Sequence, residues 1–217
     1  MDYGLYVITD ERLSRGLTHC EIARRAIAGG ADVVQLRDKF CDCDYFRRCA
    51  LEVRDVAREA HVPFIVNDRL DVALQCEADG VHLGQADVPL KFARRVAPNR
   101  FIIGVSAGTL AEALAAERDG ADYVGLGPVF PTRSKDDAGA TCGLELLREA
   151  RSRVSIPIVA IGGIGARNVG DVIAAGADGV AVISAVVGEE DVAGAARLLK
   201  GLIAEARARR PRDGTFQ

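Results

Sequence analysis

The sequence has no tryptophan, and aromatic residues make up only 5% of its 217 positions. Proteins that bind nucleic acid along a groove combine a basic surface with aromatic side chains on which bases stack. The formal net charge here is −3, so the composition favours neither feature. We therefore expect no nucleic-acid partner.

Long hydrophobic runs are missing as well. No apolar stretch approaches the roughly 20 residues that cross a bilayer, and Met1-Asp2-Tyr3 does not open a charged and then hydrophobic signal segment. We expect a cytoplasmic protein with no membrane partner. No Pro/Ser-rich linker precedes the basic last residues, which indicates one catalytic domain over residues 1–206 and a basic, disordered tail over residues 207–217.

The six cysteines contain no CxxC pair. In a chain of this length without a secretory signal, we expect them to be reduced thiols. The Cys41-x-Cys43 pair has no second Cys or His pair nearby, so two loop thiols explain it better than a metal site. What remains is an ordinary globular composition, with 49% hydrophobic and 27% charged residues.

A seven-residue pattern, Gly/Glu-Ala-Asp followed by four mostly apolar residues, occurs four times, beginning at Gly30, Glu77, Gly120 and Gly176. Each interval holds another short apolar run, and Ala-rich segments with helical spacing lie between the runs. The eight predicted strands are residues 5–9, 30–36, 63–67, 77–83, 101–105, 120–126, 157–161 and 176–182. This alternation predicts a single-domain α/β fold, a (β/α)8 TIM barrel, and a structural role for the four repeated aspartates.

In such a barrel the reacting groups lie at the carboxyl ends of the strands. The side-chain alternation along the end of the second predicted strand and the residues after it places Gln35, Arg37 and Lys39 on one side. We expect that side to face the barrel mouth, where an Arg fork and a Lys charge would bind an anion such as a phosphate. The alternative is that these side chains are solvated where the chain leaves the strand and form local ion pairs with Asp38.

Asn67 ends the third predicted strand and Asp68 follows it, and Asp87 follows the fourth. Asn67 or Asp68 could cap a helix that begins near Leu70, and Asp87 could cap a helix with Pro89 in its first turn. Alternatively, Asp68 and Asp87 face the cationic residues and hold a Mg²⁺ that bridges a substrate diphosphate. We favour the metal because both carboxylates come from successive strand ends.

Two further loops complete the predicted site. Residues 131–142 have no clear periodicity and suggest either a mobile lid that carries Thr132, Ser134 and Lys135 or a disordered connection. The glycines after the seventh strand and the end of the eighth predict a second phosphate site built from backbone N–H groups.

Motifs in this order resemble those of the thiamine-phosphate synthases over residues 5–187. They are Gln35-Leu-Arg-Asp-Lys39, Asn67-Asp-Arg-Leu-Asp71, Ala78-Asp-Gly-Val-His-Leu-Gly-Gln-Ala-Asp87, Gly127-Pro-Val-Phe-Pro-Thr-Arg-Ser-Lys135 and Gly179-Val-Ala-Val-Ile-Ser184. The resemblance implies a Mg²⁺-dependent transferase that couples 4-amino-2-methyl-5-hydroxymethylpyrimidine diphosphate to a thiazole phosphate, or to its carboxylate form. It also implies release of pyrophosphate, a dissociative path through a pyrimidine-methyl cation, and a homodimer.

Residue by residue, the resemblance implies that Gln35 orients the aminopyrimidine and that Asp68 and Asp87 bind Mg²⁺. The diphosphate would be held by Arg37, Lys39, Asn67 and Lys135, and Ser106 would contact the pyrimidine or the diphosphate. The thiazole phosphate would be held by Thr132, Ser134, Gly163, Ile183 and Ser184. The residues expected to act in catalysis are Arg37, Lys39, Ser106 and Lys135.

Gly108 stands where this family often has a histidine, and Ser134 where it commonly has a threonine. The related thiazole tautomerases use that histidine and commonly lack the metal carboxylates. The carboxylates and Lys135 therefore favour a synthase over a tautomerase or a non-catalytic regulatory relative. A phosphosugar isomerase would need an acid and base pair at strand ends, which the sequence does not show convincingly. His82 is either an acid–base group or a hydrogen-bonded packing residue.

Overall fold

The computed structural model describes residues 1–132, 134 and 139–209. The strands β1 to β8 are Leu5–Ile8, Val33–Leu36, Phe64–Asn67, Gly80–Leu83, Ile102–Ala107, Tyr123–Leu126, Ile158–Ile161 and Gly179–Val182. The helices α1 to α9 are His19–Ala28, Cys43–Glu59, Leu70–Gln75, Leu90–Val96, Leu110–Asp119, Gly143–Arg153, Val169–Ala174, Ser184–Val187 and Val192–Arg209. None of these helices is both long and apolar enough to cross a bilayer.

The eight strands form one closed barrel in sequence order, and the predicted (β/α)8 fold is confirmed. All neighbouring strands are parallel, and β8 closes the barrel against β1 by pairing Val180 with Leu5. The last unit has two helices, because the four-residue α8 precedes the long α9.

The carboxyl-terminal helix α9 continues to Arg209, three residues past the predicted end of the domain at 206. Arg207 anchors this last turn because its guanidinium donates hydrogen bonds to the Asp2 carboxylate, one of them at 2.8 Å, and to the Asp178 carbonyl. The remainder of the predicted tail, residues 210–217, lies outside the described residues.

The strand side chains alternate between two hydrophobic layers. Leu5 and Val7 of β1 pack outward against the helices, whereas Tyr6 and Ile8 pack inside the barrel. On β2 the same alternation turns Val34 and Leu36 outward, so Gln35 faces the interior. The barrel thus sends every second strand residue toward its axis, and residues just past the strand ends toward its mouth.

The repeated aspartates connect strands at the opposite, amino-terminal end of the barrel. In each copy of the repeat, the aspartate Oδ2 accepts a hydrogen bond from a backbone N–H at or next to the start of the preceding strand. The pairs are Asp32 with Leu5 at 2.8 Å, Asp79 with Phe64 at 2.8 Å, Asp122 with Ile103 at 2.7 Å and Asp178 with Ile158 at 2.8 Å. The predicted structural role of the four repeated aspartates is confirmed.

Candidate active site

Gln35 and Arg37 extend from β2 into the barrel mouth, and both side chains are buried. Arg37 Nη1 lies 3.2 Å from Asp10 Oδ2, so its partner is Asp10 rather than the Asp38 of the solvated alternative. Asp38 instead accepts hydrogen bonds from the N–H groups of Phe40 and Cys41. Arg37 is therefore held in the mouth by a carboxylate from the neighbouring strand end.

Two buried polar atoms at this position have no hydrogen-bond partner within the described ranges, Gln35 Oε1 and Arg37 Nε. Buried polar atoms in native structures are normally satisfied, so such atoms in a cavity mark places where a ligand binds. An acceptor at Oε1 suits an N–H group, and a cationic donor at Nε suits an anion. The two atoms together fit a ligand that carries an N–H group and an anionic group.

Asn67 ends β3, and Asp68 follows with a φ of 63°, a left-handed conformation that is rare for residues other than glycine. Its N–H donates to the His82 carbonyl at 2.8 Å, and its Oδ2 lies 3.9 Å from Lys39 Nζ. Backbone strain of this kind collects at functional sites when the surrounding structure enforces it. Here the β4 carbonyl and the lysine define where the carboxylate points.

The helix-capping alternative for Asn67, Asp68 and Asp87 is wrong. Helix α3 begins at Leu70 with Arg69 at its N-cap, and α4 begins at Leu90 with Pro89 there, and neither has a side-chain capping bond among the described residues. Asp87 Oδ2 instead accepts the Gly84 N–H at 2.6 Å in the loop after β4. A hydrogen-bonded loop thus holds Asp87 at the mouth.

These groups surround one cavity of about 350 Å³. Its walls include most of the predicted diphosphate and metal residues, namely Arg37, Lys39, Asn67, Asp68, Asp87 and Ser106, together with Thr132, which is predicted for the thiazole phosphate. The structure therefore brings together cations, carboxylates and hydroxyl groups that are far apart in the sequence. Lys135 lies outside the described residues, so its predicted role in this cavity stays a prediction.

A second cavity of about 920 Å³ lies over the ends of β7 and β8. It is lined by the residues predicted for the thiazole phosphate: Thr132, Ser134, Gly163, Ile183 and Ser184. Ser134 Oγ and Ser184 Oγ are 3.0 Å apart. The two cavities share Thr132, Ile161 and Gly162, so they meet along a common wall.

The glycines after β7 allow this close packing. Gly162 and Gly163 have φ values of 99° and 63°, and a Cβ on Gly163 would lie 2.6 Å from the Pro131 carbonyl oxygen. The loop after β6 therefore packs directly on the loop after β7. Thr132 is carried by this contact to the edge of both cavities.

His82 faces inward from β4, as its alternation with Gly80 and Gly84 predicts. Its Nε2 lies 2.9 Å from Ser106 Oγ, and its Nδ1 lies 2.9 Å from the Tyr123 hydroxyl. Gly125 leaves room for the imidazole, because a Cβ there would be 2.8 Å from His82 Cε1. His82 is thus hydrogen-bonded on both ring nitrogens beneath Ser106.

Comparison with known proteins decides the family. A family model described as thiamine monophosphate synthase matches residues 5–186. The chain belongs to the thiamine monophosphate synthase family. This confirms the predicted family, the thiamine-phosphate synthase function and the enzyme class, a transferase.

Close relatives in this family cover nearly the whole chain. A thiamine-phosphate synthase of Methanocella arvoryzae is 72% identical over 207 residues, covering 95% of this chain and 98% of its own. One of Methanoculleus marisnigri is 59% identical over 208 residues, covering 96% and 99%. The solved structure of a thiamine phosphate pyrophosphorylase from Pyrococcus furiosus is 46% identical, with a TM-score of 0.88, and the match covers 94% of this chain and 97% of that one.

Three residues of this family member's site were not predicted: Asp10, Tyr6 and Tyr123. Asp10 pairs with Arg37, Tyr6 accepts a hydrogen bond from Gln35 Nε2 at 2.7 Å, and Tyr123 contacts both Tyr6 and His82. The strand alternation carried a signal for two of them, because Tyr6 faces inward from β1 and Asp10, two residues past the end of that strand, continues the same alternation. Tyr123 occupies the repeat position at which two of the other copies have glycine.

A separate group of potential metal ligands, Glu11, His19 and Asp38, lies beside the mouth with its ligand atoms within 4.8 Å of one another. His19 is buried, with Nδ1 2.7 Å from Thr9 Oγ1 and Nε2 3.4 Å from Asp38 Oδ2. Burial alone would raise the pKa of Asp38, but hydrogen bonds from Phe40, His19 and Cys41 hold it below its usual value. These contacts give the three side chains a structural role in the loop that carries Lys39.

Gly108 occupies the position at which the resemblance places a histidine in many family members. Its backbone N–H donates to Glu112 Oε2 at 2.7 Å. Glu112 also closes a capping box with Thr109 at the start of α5. Gly108 therefore belongs to the helix start.

Proposed function

We propose that this protein condenses 4-amino-2-methyl-5-hydroxymethylpyrimidine diphosphate with a thiazole phosphate and releases pyrophosphate, or with the carboxylate form of the thiazole phosphate and releases both pyrophosphate and CO2. The observation that carries the proposal is the pair of cavities that meet at Thr132, Ile161 and Gly162. The smaller cavity has the charges that a diphosphate requires, and the larger cavity has the glycine-rich loop typical of a phosphate site in a barrel. Two phosphorylated substrates can therefore lie side by side.

The smaller cavity suits the pyrimidine diphosphate. Gln35 Oε1 offers an acceptor to the exocyclic amine, and Arg37 Nε offers a donor to the diphosphate, which would satisfy both buried atoms at once. Lys39 and Asn67 add a positive charge and an amide along the same wall. In the larger cavity Ser134, Ser184 and the backbone at Gly163 and Ile183 suit the thiazole phosphate.

The donor set of Asp68 and Asp87 fits Mg²⁺. Both carboxylates line the diphosphate cavity and neither caps a helix, and Mg²⁺ prefers a few carboxylate oxygens together with phosphate oxygens and water. Mg²⁺ bound there supplies positive charge against the oxygens of the leaving diphosphate. Lys39, 3.9 Å from Asp68, is placed to contribute charge to the same group.

In the proposed reaction, the bond between the pyrimidine methylene carbon and the diphosphate oxygen breaks, and its electron pair leaves with pyrophosphate. Arg37 and Lys39 stabilise the negative charge that develops on that group. The thiazole nitrogen then donates its lone pair to the methylene cation and forms the new C–N bond. The protein supplies alignment, charge and exclusion of water, and the path needs no protein nucleophile.

We propose that the reaction takes place in the cytoplasm, that the partners are the two small-molecule substrates, and that the protein acts as a homodimer. The relatives named thiamine-phosphate synthase and the resemblance of the motifs support this setting. Gel filtration with light scattering tests the dimer, for which a mass twice the 23.0 kDa of the chain is expected.

Asp68→Asn and Asp87→Asn test the metal site. Each variant keeps the shape of the side chain but removes a charged ligand, and we expect turnover to fall by roughly a hundredfold, with a higher Mg²⁺ requirement. Asp71→Asn is the matched control, because Asp71 lies on the nearby α3, pairs with Arg69 and does not line the cavity. Wild-type activity in both cavity variants across a Mg²⁺ titration, with unchanged melting temperatures, would refute the assignment.

A further inference from the structure

Beneath the smaller cavity, five side chains from five strands form a continuous hydrogen-bonded chain. Gln35 Nε2 donates to the Tyr6 hydroxyl at 2.7 Å, which lies 2.9 Å from the Tyr123 hydroxyl. The Tyr123 hydroxyl lies 2.9 Å from His82 Nδ1, and His82 Nε2 lies 2.9 Å from Ser106 Oγ. We call Gln35, Tyr6, Tyr123, His82 and Ser106 the relay.

With the Gln35 amide oriented as in the structure, the relay has one direction in which every hydroxyl proton along it finds an acceptor. An amide nitrogen only donates, so Tyr6 accepts from Gln35 and passes its own proton to Tyr123. Tyr123 then donates to His82 Nδ1, which places the imidazole proton on Nε2, where it donates to Ser106. In the reverse direction the Gln35 amide would have to turn so that its Oε1 accepts the Tyr6 proton, which would direct Nε2 away from Tyr6 and place the His82 proton on Nδ1.

The orientation of the Gln35 amide is therefore coupled to the direction of the relay, because turning the amide would reverse every hydrogen bond along it and move the His82 proton to Nδ1. Gln35 Nε2 is committed to Tyr6, so Oε1 is the atom left for a ligand, and Oε1 is the buried atom without a partner within the described ranges. The small space lined by Tyr6, Gln35, His82 and Tyr123 shares Ser106, Gly125 and Ile161 with the 350 Å³ cavity. The amide therefore lies at the inner end of that cavity.

We propose that Tyr6, Tyr123 and His82 are specificity-determining positioning residues, which fix the Gln35 amide so that the site accepts an aminopyrimidine and rejects its 4-oxo counterpart. The proposal rests on the proposed function, in which Gln35 contacts the exocyclic amine. An oxo group would meet Oε1 with a second acceptor and leave both unpaired. None of the three side chains has to touch the substrate for this selection.

Two glycines preserve the space for these rings. A Cβ on Gly104 would overlap the Tyr123 ring, and one on Gly125 would press on His82. Tyr6 and Tyr123 are also fully buried, with ring centroids 5.9 Å apart, so neither ring can turn away from the relay without disturbing the barrel interior. The relay is therefore rigid before any ligand arrives.

Tyr123→Phe is the decisive variant, because it removes the hydroxyl between Tyr6 and His82 and keeps the ring. The Tyr6 proton must then find another acceptor, which Gln35 Oε1 provides if the amide turns and presents Nε2 to the cavity. Tyr3→Phe is the matched control. Tyr3 is buried and its ring packs against that of Tyr123 at an angle of 40°, with centroids 4.8 Å apart, but its hydroxyl is not a member of the relay.

The experiment measures, by calorimetry, the binding of the aminopyrimidine diphosphate and of its 4-oxo analogue to each protein, together with turnover of both. We expect the wild type and Tyr3→Phe to prefer the amino compound by about tenfold to a hundredfold, and Tyr123→Phe to lose most of that preference. Nitrogen NMR of the ligand-free protein should show His82 protonated on Nε2 in the wild type. Thermal melts verify that each variant is folded.

The outcomes separate this inference from the proposed function. Equal binding of both pyrimidines by the wild type, an unchanged preference in folded Tyr123→Phe, or a His82 proton on Nδ1 would overturn the relay. Selective binding that Tyr123→Phe abolishes would support it even if no thiamine phosphate formed, and that absence would count against the proposed function alone. A wild type that binds neither pyrimidine would overturn both.

Discussion

Asp32 connects the second strand to the first at the amino-terminal end of the barrel, and its loss should destabilise the fold without changing the site. Its Oδ2 accepts the N–H of the fully buried Leu5 at 2.8 Å, and the same carboxylate pairs with Lys200 of α9. Truncation would therefore leave a buried donor without its acceptor and an ammonium without its counter-ion. Both lost contacts lie at the end opposite the mouth.

The magnitude follows from these two contacts. A hydrogen bond to a charged group contributes about 1.5–3 kcal/mol, and a partly exposed ion pair contributes about 0–1 kcal/mol. We expect Asp32→Ala to lower the free energy of unfolding by about 2–3 kcal/mol, and Asp32→Asn, which keeps an acceptor for Leu5, by about 1 kcal/mol. For a chain of this size, Asp32→Ala should lower the melting temperature by roughly 4–12 °C.

Urea unfolding and thermal melts measure these differences, and turnover well below the melting temperature shows whether the site is intact. Asp55→Ala is the control, because Asp55 is an exposed helical carboxylate that pairs with its neighbour Arg54. Asp55→Ala should change the free energy of unfolding by no more than about 0.5 kcal/mol. Equal losses in Asp32→Ala and Asp32→Asn, or a fall in kcat of the folded variant, would refute the purely structural role of the repeat.

Three further outcomes are expected. Arg37→Lys keeps a charge but removes Nε, so KM for the pyrimidine diphosphate should rise by roughly tenfold or more, whereas an unchanged KM would show that Nε does not face this substrate. Ser184→Ala should raise KM for the thiazole phosphate selectively, because Ser184 lines the larger cavity and not the smaller one, and equal effects on both substrates would contradict this placement. Burial raises the pKa of Tyr6 and Tyr123 well above 10, whereas both ionise near pH 10 in the unfolded chain. The stability that they contribute should therefore be complete below about pH 10 and fall at higher pH, more steeply in the wild type than in Tyr123→Phe, as urea melts at about pH 9 and pH 11 would show.

The barrel was predictable because its signal is repeated. Four copies of one short pattern, each followed by helical spacing, leave few folds other than a closed parallel barrel. The same alternation that builds the strands correctly placed Gln35 and His82 inside. The end of α9 was not predictable in this way, because the contact of Arg207 with Asp2 joins the two ends of the described chain.

The site was predictable where chemistry follows a strand end and was missed where it depends on neighbours across the barrel. Asp68 and Asp87 were ambiguous in the sequence, since either could have been a helix cap, and only the observed helix starts remove that alternative. The sequence pattern indicates that Asp10 and Tyr123 face inward, but not which side chains they meet across the barrel. Their roles arise because the closed barrel brings β1, β2, β4 and β6 around one axis.

The most direct test of the account is to incubate the purified protein with the pyrimidine diphosphate, thiazole phosphate and Mg²⁺ and to quantify thiamine phosphate and pyrophosphate in the same sample. We predict equimolar formation of the two products, lost on addition of EDTA and restored by excess Mg²⁺. Pyrophosphate without thiamine phosphate would mean that the two cavities do not align the substrates. Binding of thiazole phosphate with neither product would contradict the proposed condensation.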